Sequence, residues 1–164
     1  MKKISYLPLL FLTVLAASCG DRTGKKQDIT IKADHPKELF ATMQLKDTIK
    51  MGEPVEMTFT VYNHTDSVMK FLKWQTPFEP LLSKYLDIKD EQGEEALYKG
   101  AMAKRMMPPP AADSLSLKAN DSLSVKSDLL KGYDIVKPGK YTVTYNSEGV
   151  SGVKVYKSVT FVYR

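Results

Sequence analysis

Cysteine is nearly absent: Cys19 is the only one in 164 residues. A lone thiol forms no intrachain disulfide and builds no cysteine-rich metal site, so packing alone must hold the fold. Histidine is almost as scarce, with His35 and His64 only. Neither begins His-Glu-x-x-His, and no group of histidines and carboxylates has metal-ligand spacing; both read as solvated loop residues. No serine sits in Gly-x-Ser-x-Gly, and a hydroxyl without a neighbouring base is a poor nucleophile. Glycine-rich phosphate loops are missing too. The expectation is a protein without catalytic residues, metal ligands or cofactor. Its net charge of +5 is spread through the chain beside acids, without a basic run interleaved with aromatics. Nucleic acid is therefore not an expected partner. No apolar run reaches the roughly 20 residues that a membrane-crossing helix needs.

What is there begins at the N-terminus. Lys2 and Lys3 precede a short apolar stretch, Ile4 to Leu15, closed by Ala16-Ala17-Ser18-Cys19-Gly20. A positive start, an apolar middle and a small-residue site are the three parts of an export signal. With a cysteine directly after the site, the segment resembles a bacterial lipoprotein signal, cut before Cys19 so that the thiol takes lipid. Leu15 sits one place further from the cysteine than in the commonest form of that signal. The alternative is an ordinary secretory signal with an incidental cysteine. Residues 1–18 are thus expected to be signal peptide, 19–37 a lipidated, polar tether, and 38–164 one domain. The expected location is the cell envelope, lipid-anchored to the outer membrane, periplasmic or surface-exposed.

From Glu38 onward the dominant period is two. Val55, Met57, Phe59 and Val61 alternate with polar residues, as do Tyr141, Val143 and Tyr145, and both runs predict half-buried strands. Further strands are predicted over 39–45, 68–74, 85–90, 95–98, 114–118 and 122–128. Val153, Val155, Val159, Phe161 and Tyr163 share one parity and predict one long final strand. Turn signals such as Asn120-Asp121 and Pro138-Gly139 separate the runs. Only Pro80 to Leu86 has room for a helical turn. Seven to nine short strands at this spacing predict an all-β, antiparallel Ig-like β-sandwich. Tyr141 follows Pro138-Gly139-Lys140 where a tyrosine corner would start a late strand. Gly100 to Asp113 breaks the rhythm with Pro108 to Pro110, and a loop of that length in a compact domain points to function. Trp74, the only tryptophan, either plugs the core or anchors a partner at the rim. Four Asp-Ser/Thr-aliphatic triplets, starting at Asp47, Asp66, Asp113 and Asp121, resemble an O-glycosylation site of some Gram-negative bacteria.

Phe71-Leu72-Lys73-Trp74-Gln75-Thr76-Pro77-Phe78-Glu79 resembles a run found in the non-catalytic N-terminal domain of deuterolysin-like (aspzincin) metallopeptidases, which include peptidyl-Lys endopeptidases. The resemblance continues in order through Tyr98-Lys99-Gly100, Lys104-Arg105 and Pro108, Leu115 to Leu129, Tyr133-Asp134 and Gly139-Lys140-Tyr141-Thr142-Val143. It runs from Pro54 to Asn146 and implies an Ig-like sandwich with a companion's binding role. In that family the β-domain precedes a zinc peptidase domain with His-Glu-x-x-His and a downstream aspartate. This sequence holds no such pattern, so no zinc ligand carries over and proteolysis is not implied. The expected partner-binding residues are Trp74, Thr76, Pro77, Phe78, Glu79, Lys104, Arg105, Met106 and Met107, with Lys104 and Arg105 aimed at an acidic pocket or else simply solvated. The expected partners of this monomer are the membrane, through lipid on Cys19, and an extracytoplasmic metallopeptidase or another protein. The competing readings are a structural cell-envelope lipoprotein and, further off, a peptidase in its own right.

Overall fold

Val55, Met57, Phe59 and Val61 are sealed from solvent, as their alternation with polar neighbours demands. They lie on or beside the central strand of one sheet in the computed structural model, which describes residues 37–164. Cys19, His35, the export signal and all of the tether but Lys37 lie outside the described residues. Ten strands follow: β1 (Leu39–Gln44), β2 (Thr48–Ile49), β3 (Glu56–Asn63), β4 (Met69–Leu72), β5 (Leu86–Asp90), β6 (Ser114–Leu117), β7 (Ser122–Asp128), β8 (Gly139–Tyr145), β9 (Lys154–Val155) and β10 (Val159–Tyr163). One four-stranded sheet has the order β7-β3-β1-β9 and the other β2-β10-β8-β5, with β4 and β6 forming a separate ribbon. Met57, Phe59 and Val61 of the first sheet share one core with Ile88, Val143 and Phe161 of the second. Phe59 meets Tyr145 across it, ring centroids 5.5 Å apart.

The protein is an Ig-like β-sandwich. The orders β7-β3-β1 and β10-β8-β5 correspond to the E-B-A and G-F-C faces of that architecture. Tyr141, near the start of β8, donates its hydroxyl to the Lys137 carbonyl at 2.8 Å, the tyrosine corner that the local sequence predicts.

Four details differ from expectation. The sheets are not purely antiparallel, because β9 pairs parallel with β1 and β2 pairs parallel with β10. The final strand is not continuous: β9 joins the first sheet and β10 the second. Its alternation holds in part: Val153, Phe161 and Tyr163 are buried, while Val155 and Val159 are half-buried. Periodicity reports the buried face, and both sheets bury theirs against the same core, so the crossing leaves no mark in the pattern. Glu95 to Tyr98 contributes only single bridges, Lys89 to Glu95 and Tyr98 to Tyr133. Pro80 to Leu86 forms no helical turn; among the described residues the one short α-helix spans Glu148–Ser151.

The four Asp-Ser/Thr-aliphatic triplets each sit at the entrance to a strand, namely β2, β4, β6 and β7. Asn63, which formally begins an Asn-His-Thr triplet, is fully buried. Its amide nitrogen donates to the carbonyls of Ser67 and Lys118, at 2.8 and 2.9 Å.

Candidate functional site

The ribbon strand β4 ends at Leu72, and the next seven residues fold into a self-bonded turn. Thr76 Oγ1 donates to the Lys73 carbonyl at 2.6 Å and accepts from the Phe78 amide at 3.2 Å. Glu79 reaches back to accept from the Gln75 amide at 2.7 Å. Gln75 adopts a left-handed backbone (φ 55°), a conformation that a side chain tolerates only when its surroundings enforce it. Tyr145, whose hydroxyl donates to the Gln75 carbonyl at 3.0 Å, supplies the second restraint. Phe78 then packs edge-on against Phe59 and Phe71, tying the turn to the core.

Trp74 is only 4% exposed, yet it lies outside the main core cluster. Its indole Nε1 donates to Asp113 Oδ2 at 2.9 Å, and Lys73 Nζ lies 3.1 Å from the other carboxylate oxygen. These two partners, Lys73 foremost, hold the Asp113 carboxyl below the usual carboxylate range. Over the indole lies the Arg105 guanidinium, 5.0 Å from the ring centroid, a cation–π contact. Arg105 also donates to Glu79 Oε1 at 2.6 Å and to Ser83 Oγ at 3.3 Å. The Glu79 side chain is 5% exposed and that of Arg105 22%, so the pair is shielded from water.

The long loop is fastened along its first half. Ala101 and Ala103 donate to the Leu81 and Leu82 carbonyls at 3.2 and 2.8 Å. Tyr98 folds back to donate to the Ala101 carbonyl at 3.0 Å while its ring meets Tyr133 edge-on. A Cβ at Gly100 would stand 2.3 Å from the Tyr98 hydroxyl, which explains glycine in Tyr98-Lys99-Gly100. Beyond Arg105 the chain turns through a cis Met107–Pro108 bond to the short 3-10 turn Ala111–Asp113.

The structure therefore divides the nine predicted residues. Trp74, Thr76 and Pro77 are buried, and Phe78, Glu79 and Arg105 are half-buried around them. Lys104, Met106 and Met107 are exposed on the loop above. Arg105 differs from its expected role: its charge is met by Glu79 inside the protein. Sequence reasoning missed Asp113 and Ser83 as partners and Met102 as a third exposed loop methionine. Asp113 was visible only as the end of the long loop and the first residue of a triplet, and its partner Trp74 lies 39 positions away. Two surface hollows, one beside Asp90 and Lys137 and one beside Gln44 and Glu53, include none of the nine residues. Among the described residues no group of histidine, cysteine and carboxylate side chains could hold a metal ion, and no helix is long and apolar enough to cross a membrane.

No family model matches the chain. It is 30% identical over 100 residues to an uncharacterized secreted protein of Arthroderma benhamiae, covering 58% of this chain and 51% of that one. It is 31% identical over 96 residues to an extracellular protease of Aeromonas hydrophila, covering 57% and 26%. The chain thus spans about half the length of the first relative and about a quarter of the second. Among solved structures it is similar to the CARDB domain of the PF1109 protein from Pyrococcus furiosus, with a TM-score of 0.39 and 12% identity over 77% of this chain and 88% of that one. It is also similar to the alkylpurine DNA glycosylase AlkC of Pseudomonas fluorescens, with a TM-score of 0.41 and 16% identity over 80% and 32%.

Proposed function

We propose that this chain is a non-catalytic, extracytoplasmic binding domain, lipid-anchored through Cys19 at the outer membrane, whose partner is an extracytoplasmic peptidase that it accompanies or inhibits. The observation that carries this reading is the clamp of Trp74, Glu79, Arg105 and Asp113. Trp74 to Glu79 and Lys104-Arg105 are separate pieces of the resemblance to the deuterolysin-like N-terminal domain, and they meet at this one place. The similarity to an extracellular protease over 96 residues adds support, and the export signal agrees with secreted relatives. A loop fixed from beneath, with exposed methionines above, suits a surface that meets another protein.

The test uses the Aeromonas hydrophila extracellular protease shortened by its matched 96 residues. Adding the full chain to it should give a 1:1 complex on size-exclusion chromatography and slow peptide hydrolysis. Neither complex nor slowing would turn the assignment to a structural envelope lipoprotein.

A further inference from the structure

The stretch from Ala101 to Arg105 is held at every second residue. Ala101 and Ala103 are fastened through their amides, and Arg105 through Glu79, Ser83 and the Trp74 ring. Between and after those holds, Met102, Lys104 and Met106 face solvent, the methionines 73% and 75% exposed. Backbone bonds at every second residue, with the side chains between them turned to solvent, resemble the edge of an extended segment. It offers one ammonium between two apolar groups. Arg105, the neighbouring cation, is spent on Glu79, so Lys104 is the charge this segment presents.

An extended chain with one prominent side chain is the form in which a peptidase takes its substrate. We propose, resting on the peptidase-binding reading above, that residues 101–107 mimic a substrate and that Lys104 enters the acidic specificity pocket of a lysine-cleaving extracellular peptidase. Charge chooses the occupant. Sinking an ammonium into a neutral pocket leaves its desolvation uncompensated, whereas a carboxylate at the base returns charge-assisted hydrogen bonds. Prior fastening means that little ordering entropy is lost on docking. It also accounts for inhibition rather than digestion. Hydrolysis would add water across the Lys104–Arg105 bond, leaving a carboxyl on Lys104 and an amine on Arg105. Ala103 and Arg105 would still be tied to the same scaffold, so the two new ends would stay in register instead of departing.

The experiment titrates the full chain against a lysyl endopeptidase and, as control, a glutamyl endopeptidase, following peptide hydrolysis, association and cleavage of the chain itself. Competitive inhibition of the lysyl enzyme alone is expected. Lys104→Ala, at an exposed position, should weaken it at least about tenfold. Arg105→Ala should still associate but be cut after Lys104 at least about tenfold faster, because the hold behind the scissile bond is gone. Its melting temperature is measured alongside, and the Lys104→Ala result stands independently of it. Undiminished inhibition by Lys104→Ala would overturn the substrate-mimic assignment while leaving peptidase binding in place. Absence of association with any peptidase would remove both. Rapid cleavage of the wild-type chain after Lys104 without inhibition would overturn the assignment. So would Lys104-dependent co-sedimentation with phosphatidylserine vesicles without inhibition, which would mark the loop as a membrane contact.

Discussion

Glu79 is a carboxylate with almost no access to water and two jobs. It accepts from Arg105, whose guanidinium also covers Trp74, and from the Gln75 amide, which fixes a left-handed residue in the turn. Removing one member of a shielded ion pair strands the other, a loss of about 3–5 kcal/mol in buried pairs. Glu79→Ala should therefore lower the folding free energy by about that amount, read as a lower urea midpoint with unchanged slope. Met106→Ala, on the exposed side of the same loop, should stay within about 0.5 kcal/mol of wild type. A reversed order of these two variants would mean that the clamp contributes no stability. The residue types of this cluster were plain in the sequence; their pairing was not. Arginine beside lysine reads as two exposed charges until the fold shows that one of them lies against a buried carboxylate 26 positions earlier.

The bounds of most strands were legible from alternation together with the turn signals between the runs. β7 has the predicted bounds, and β1, β3 and β5 differ from prediction by a residue or so. The predicted strand over 68–74 stops at Leu72: the Lys73 amide still reaches the Asp113 carbonyl at 2.9 Å, but from there the chain bonds to itself within the turn. The break between β9 and β10 was invisible, since the apolar residues on either side of it share one parity in the sequence. Asp113 links two of these elements, standing just before β6 and bonding to Lys73 and Trp74 just after β4. Its carboxyl titrates below the usual range in the fold, so its contribution is present above the unfolded value near about 3.9 and is lost as pH falls through the folded one. Asp113→Asn should accordingly flatten the acid end of the melting temperature against pH while changing its neutral part by a constant offset. An unchanged acid slope would show that the ribbon is not held by this carboxylate.

At the scale of the molecule, three buried tyrosines tie the stability of the fold to alkaline pH. Burial pushes the hydroxyl of Tyr85 up to about 12 and those of Tyr133 and Tyr145 higher still. Because the fold favours their neutral forms, the stability they confer is complete below the unfolded value near about 10 and is lost as pH climbs through the folded values. Tyrosinate absorbance from these three should appear together with loss of the folded signal above about pH 10, rather than beforehand. Early, independent ionisation would contradict their burial. The sandwich as a whole was readable because alternation and turn spacing survive in one dimension. The candidate site was only half readable, because which cation faces inward is decided by contacts across the chain.

The seam between β2 and β10 has a further consequence. These strands run parallel, stitched by Val162 to the Asp47 carbonyl at 2.8 Å and by Arg164 to the Ile49 carbonyl at 3.0 Å. A load drawing the chain before β2 and the end of β10 in opposite directions acts along both strands at once. The bonds of the seam then bear force together, in shear, instead of opening one after another as in a hairpin peeled from its end. At this edge of the sheet, the direction of pairing therefore decides whether a pull is met by the bonds together or in turn.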